Sequence, residues 1–207
     1  SFFTDRYENA AASRAFADFK AIKELLKKPD FTENDLVTVP VLNRSEFPLA
    51  DVDSLMAAGW PKATGIKARA ILAVTTHLGA TDFADHKKAT WESIQKREYH
   101  HIFPDSLLAE AGIKSYLALN CALITWKTNR IIGRKDPLEY LQERVQWADE
   151  SAIRERLMSH LISYDLLSKA HYAGMAGEEL KQKLTSDFNE FLRDRAELVV
   201  AAMYCLV

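Results

Sequence analysis

The sequence predicts a mainly α protein, a helical body carrying an embedded strand–strand–helix unit. Two observations predict the body: apolar residues recur at three- and four-residue intervals over 4–28, 62–78 and 178–207, and every proline falls outside those stretches. A third predicts the insert. Residues 97–103 and 119–125 are short β-prone runs, and 126–133 follow the second as a brief helix.

In chain order, residues 4–28 place Tyr7, Ala11, Phe16, Phe19, Ile22, Leu25 and Leu26 at mostly helical spacings. With Thr4 as the cap and Pro29 as the stop, this reads as one long amphipathic helix, Arg6 being a surface charge beside a buried Tyr7. Residues 30–47 break into short pieces and read as loop. Helices are expected over 49–58 and 62–78, on either side of Gly59-Trp60-Pro61, the second burying Ile66, Ala70, Ile71, Val74 and Leu78 before Gly79 ends it. Residues 80–95 read as a solvated connector in which Asp82, Asp85, His86, Lys87 and Lys88 show no metal-ligand spacing.

Between the two strands, residues 105–118 suggest a small helix and a turn at Gly112, so a two-residue hairpin is excluded. Thr125 caps the helix after the second strand and Gly133 ends it. Asp136-Pro137 starts another helix, a capping carboxylate before a proline whose missing N–H costs nothing in a first turn. Residues 150–170 and 178–207 complete the body, the last with Leu180, Leu184, Phe188, Phe191, Leu192, Leu198 and Val199 as its buried stripe. One domain is expected over 1–207: helices to residue 95, the inserted unit over 96–136, and helices over 137–207.

Composition narrows the function classes. A net charge of -2 excludes a uniformly basic surface, so any nucleic-acid contact must come from a local patch. Two cysteines, Cys121 and Cys205, sit far apart in apolar runs and read as reduced core thiols, not as a disulfide or zinc site. No basic-then-apolar leader and no 18-residue apolar run occur, so a cytoplasmic location without membrane contact is expected. The abrupt start at Ser1-Phe2-Phe3 fits a piece cut from a longer protein.

The chemistry is concentrated in Tyr99-His100-His101-Ile102-Phe103-Pro104, read with Asn120 and Asn129. Neutral imidazoles serve as metal ligands and as general bases near pH 7, and here two adjacent ones end a strand just before a proline. Neighbours on a regular strand point to opposite faces, so the pair shares a site only if the strand bends or ends there. From 111 to 135 there is no acidic residue, whereas Lys114, Lys127, Arg130, Arg134 and Lys135 are basic and could grip phosphates. His77 reads as structural or solvated, and His160 and His171 as structural.

The order of a strand with His-His, a strand with Asn and a helix with Asn resembles the ββα-metal finger of the HNH (His-Me finger) endonucleases. More narrowly, HHIFP followed by ALNCALITWKTNRIIGRKDPLEYL resembles the C-terminal nuclease half of the GmrSD-like restriction proteins that attack modified phage DNA. The tight match covers 97–141, with looser likeness in Arg6-Tyr7 and around Phe191 to Glu197. The resemblance implies His101 as general base, Asn120 as the brace of the finger, and His100 with Asn129 as ligands of one divalent ion, Mg²⁺ or Mn²⁺. It implies double-stranded DNA as substrate and a ParB-like, nucleotide-hydrolysing N-terminal domain as partner. Both ligand candidates are neutral where such fingers often carry an acid and a histidine, and no Cys-x-x-Cys zinc knuckle is present. Two other classes compete: a degenerate finger that binds DNA without cutting, and a helical protein-interaction domain with both histidines in its core.

Overall fold

The computed structural model describes residues 3–61, 65–94, 96–146 and 148–206, with the backbone alone at Trp91 and Ile94. It is mainly α with one small sheet. The expected helix over 4–28 is divided: a 3₁₀ turn at Asp5–Tyr7 precedes α1, Ala11–Leu25, and Ala10 between them is left-handed at φ 55°. Arg6 is buried, correcting its expected exposure. Its guanidinium forks onto Asp18 through two 2.6 Å hydrogen bonds, and Tyr7 Oη donates to the same carboxylate at 2.7 Å. A buried guanidinium needs its carboxylate, so the helix face carrying Asp18 and Leu25 turns inward. Phe16, Phe19, Ile22 and Leu26, expected in the core, face solvent.

Residues 30–47 are not all loop. They hold α2, Glu33–Leu36, behind a Thr32/Asp35 capping box, and a 3₁₀ turn at Pro40–Leu42. Val39 and Val41 pack with Leu25 in a small separate cluster. Next come α3, Val52–Met56, and α4, Ile66–His77. The expected start of that helix at 62 lies outside the described residues. Leu78 is half-exposed as the residue after the last full turn, correcting its expected burial, and Gly79 leaves the helix at φ 90°. The connector carries the short α5, Trp91–Ile94.

β1, Arg97–His101, pairs antiparallel with β2, Cys121–Thr125, in the register Tyr99↔Leu123 and His101↔Cys121. Between them lies α6, Asp105–Glu110, followed by Gly112 at φ 68°, as expected. α7, Trp126–Ile132, follows β2 directly and packs on both strands. α8 is Pro137–Val145, capped by Asp136. The expected single helix over 150–170 is two, α9 at Glu150–Met158 and α10 at Tyr164–Leu167, because Leu161 adopts φ 56° between them. α11, Gly177–Tyr204, closes the fold.

One apolar core runs from Phe3 to Met203, filled by Ala122 and Ile124 of the sheet and by Leu184, Phe188, Phe191 and Val199 of α11. Arg195 of α11 is completely buried and donates to the carbonyls of His160, Leu119 and Cys121. The long helix therefore holds the entry to β2. Cys121 is buried but Cys205 is exposed, so only one of the two expected core thiols is in the core. Among the described residues no helix is long and apolar enough to cross a membrane.

Candidate active site

Strand alternation puts Glu98 and His100 on the sheet face that α7 covers, and Arg97, Tyr99 and His101 on the other. α7 is seated by its first turn. Thr125 Oγ1 accepts from Thr128 N, and Asp82 accepts from Thr125 N at 2.6 Å and from the Thr128 hydroxyl. Asp82 is almost fully buried, which corrects its reading as a solvated loop residue. Burial pushes its pKa up, but the hydrogen bonds from Thr125, Thr128 and Ala84 outweigh that and leave the carboxyl below its ordinary range.

One turn into that seated helix, Asn129 Oδ1 lies 2.8 Å from His100 Nδ1, while Asn129 Nδ2 donates to Glu98 Oε2 at 2.8 Å. The amide nitrogen must face the carboxylate, so the amide oxygen faces the imidazole and His100 Nδ1 carries the proton of that hydrogen bond. His100 Nε2 is buried without a hydrogen-bond partner. Burial lowers the His100 pKa to about 4 against the opposing pull of Asn129, so the ring is neutral at pH 7.

β1 stops at His101, and the chain bends through Ile102 and Phe103. The adjacent imidazoles consequently line one cleft of about 260 Å³, together with Asp105, Asn129 and Arg134. The His101 ring stacks on Trp60, centroids 4.1 Å apart at 17°, and meets the edge of Tyr116 at 4.8 Å. Its Nε2 is shielded and unpartnered. Desolvation lowers its pKa, partly opposed by the Asp105 carboxylate.

Asn120 occupies a 3₁₀ turn at Ala118–Asn120, one residue before the strand in which it was expected. It is fully buried. Its Oδ1 accepts from Phe103 N at 2.8 Å, and its Nδ2 donates to Phe103 O at 3.0 Å and Ser115 O at 3.1 Å. One amide thus clamps the bend that follows His101.

Of the basic residues singled out by sequence, Arg134 lines the cleft, and Lys127 and Arg130 are exposed on α7, Arg130 resting over the Trp126 ring. Lys135 is engaged by Glu143 at 2.6 Å. Lys114 is exposed on the segment leading to Tyr116.

Two donors bound cis on an octahedral ion with bonds of 2.0–2.1 Å stand about 3 Å apart. The His100 Nδ1 to Asn129 Oδ1 separation of 2.8 Å suits that arrangement once the proton leaves Nδ1, with Glu98 beside them as the nearest acid on the same face. Among the described residues no group of three His, Cys, Asp or Glu side chains could hold a metal, so an ion here would depend on the Asn129 carboxamide. His160 is buried with Nε2 on the Thr81 carbonyl, as a structural residue should be, whereas His171, also read as structural, is exposed beside Asp136.

Sequence reading missed Glu98, Trp60 and Asp82. Only Glu98 had a local signal, since it stands two residues before His100 and a strand puts such residues on one face. Comparison with family models, curated proteins and solved structures finds no match for this chain.

Proposed function

We propose that the chain is an HNH-type, metal-dependent DNA endonuclease with its site at His100, His101, Asn120 and Asn129. The observation that carries the reading is the convergence of segments distant in sequence. His100 and Asn129 stand 2.8 Å apart, and His101 lines the same cleft from a bend that Asn120 clamps. A divalent ion, Mg²⁺ or Mn²⁺, held by His100 and Asn129 would supply charge stabilisation at the scissile phosphate and the leaving oxygen.

The protein's own part is positioning and proton transfer. With Nε2 shielded, Nδ1 of His101 takes the proton from a water in line with the P–O3′ bond. The water oxygen bonds to phosphorus as that bond breaks, and the 3′ oxygen gains a proton from solvent, leaving 5′-phosphate and 3′-hydroxyl ends. Arg134, on the cleft wall, holds a phosphate oxygen. Lys127 and Arg130 hold the neighbouring backbone without reading sequence. Restriction of modified or phage DNA, under a ParB-like domain elsewhere in a longer chain, is the biological setting this reading carries.

Plasmid incubated with Mg²⁺ or Mn²⁺ tests it. Nicking is expected with the ion and not in EDTA, and His101→Ala should slow it by about 10²–10⁴-fold. Plasmid that is bound but never nicked would replace the enzyme with a DNA-binding module.

A further inference from the structure

A cleft of about 690 Å³ lies between α4 and the sheet face opposite α7, within the roughly 300–1,000 Å³ range of small-molecule sites. Leu72 and Ala73 of α4 form one wall, and Tyr99 and Leu123, paired across the strands, form the other. The mouth is cationic. Arg69 is exposed and has no ion pair among the described residues. Arg97 is pinned by hydrogen bonds to the carbonyls of Leu123 at 3.0 Å and Lys87 at 2.8 Å, so no carboxylate takes its charge directly.

The cleft is not isolated from the candidate active site. Tyr99 and Arg97 also line a second trough of about 420 Å³, whose other walls include Trp60, Tyr116 and His101. Tyr99 and His101 in turn line the cleft that holds His100 and Asn129. A path therefore runs along β1 from Arg69 and Arg97, past the rings of Trp60 and Tyr116, to the imidazoles and Arg134. Two acidic side chains line this path, Glu98 at the middle trough and Asp105 in the cleft of the imidazoles.

We propose that the 690 Å³ cleft binds one nucleotide of the strand being cut, its base against Leu72, Leu123 and Tyr99 and its phosphate between Arg69 and Arg97. The assignment rests on the nuclease reading for the strand that occupies it. It follows from a slot with apolar sides, two cations at its mouth, one of them held in place, and an aromatic path leading from it: bases stack on such rings whatever their sequence, and guanidinium groups hold phosphate. An aliphatic carboxylate would satisfy the cations and the apolar walls, but would have no use for the aromatic path.

The test is performed in EDTA, where cutting plays no part, using a fluorescein-labelled 12-nucleotide single strand and fluorescence anisotropy. Ala73 is exposed on α4, so Ala73→Trp fills the slot from outside the core, and Arg69→Glu reverses one charge at its mouth. Each should weaken binding at least tenfold while melting as the wild type does. Thymidine monophosphate should compete with the oligonucleotide, and octanoate should not. Unchanged affinity in both variants, or equal competition by octanoate, overturns the nucleotide slot even if the protein nicks plasmid. Weakened binding in both variants sustains the slot even if the wild type with Mn²⁺ never nicks plasmid, the result that removes the nuclease reading.

Discussion

Glu98 shows what a single side chain contributes at this site. Its carboxylate holds Asn129 Nδ2 and so fixes which end of the carboxamide meets His100. Groups one layer out from a metal commonly change affinity or activity by about 10–100-fold. Glu98→Ala is therefore expected to weaken Mn²⁺ binding, followed by electron paramagnetic resonance, by about tenfold, and to slow nicking in proportion. Stability should change by less than about 1 kcal/mol, because the residue is exposed. Glu98→Gln keeps an acceptor and should recover part of the loss; equal Mn²⁺ affinity in all three proteins would reduce Glu98 to a surface residue. His160 makes a different residue-level prediction. It is buried, and desolvation lowers its pKa to about 3, so it is neutral in the folded protein, while the unfolded chain takes up a proton below about pH 6.5. The unfolded state then binds more protons, and stability falls as pH drops from about 6.5 towards 3, by up to about 1.4 kcal/mol per unit from this one group. In His160→Gln that component disappears, so urea titrations at pH 7 and pH 5 should show the variant losing less stability than the wild type. His100 is common to both proteins and cancels in the comparison.

At the scale of the element, α7 carries the site and Asp82 fixes α7. The carboxylate satisfies the Thr125 N–H and the Thr128 hydroxyl in the first turn, and from there the helical rise delivers Asn129 to His100. Removing it leaves buried donors unpaired, at about 1–3 kcal/mol for each. Asp82→Ala should therefore destabilise the protein by about 2–4 kcal/mol in chemical denaturation and displace Asn129 enough to slow nicking at least tenfold. Because its folded pKa is depressed, the Asp82 contribution is present above the unfolded value of about 3.9 and is lost as pH falls through the folded one. Much of this element was legible in sequence: the Thr125 cap, the Gly133 stop and the Asp136-Pro137 start are local signals, and each stands where it was expected. Asp82 was not, since its partners lie 43 and 46 residues away and only tertiary folding joins them. α1 failed for a related reason. Its apolar spacing was real, but the buried Arg6–Asp18 pair decided which face turned inward.

For the whole molecule, the balance of charge decides how DNA could be held. The chain carries a net charge of -2, yet residues 111–135 have no acid, so that region supplies local attraction on a chain that is mildly acidic as a whole. The helical body and the last long helix could be read from periodicity, because a stripe of apolar residues every three or four positions has one stable solution, burial against neighbours. Arg195 could not, since its role as the buried tie between α11 and β2 depends on carbonyls some 35 to 76 residues away. The division of labour among the surface cations was equally hidden. Lys135 is paired with Glu143, whereas Lys114, Lys127, Arg130 and Arg134 have no ion pair among the described residues. Four phosphate contacts release about 0.9 counterion each from duplex DNA, so log K against log salt should fall with a slope of roughly -3 to -4. Arg130→Ala should reduce the magnitude of that slope by about 1, and Lys135→Ala by less, because Glu143 already neutralises part of its charge. Anisotropy of a labelled duplex between 50 and 200 mM salt would read the slope, and a wild-type value shallower than about -1 would mean that these cations do not grip DNA. The same series in His101→Ala should retain the wild-type slope, since the imidazole is assigned to proton transfer and the cations to the backbone.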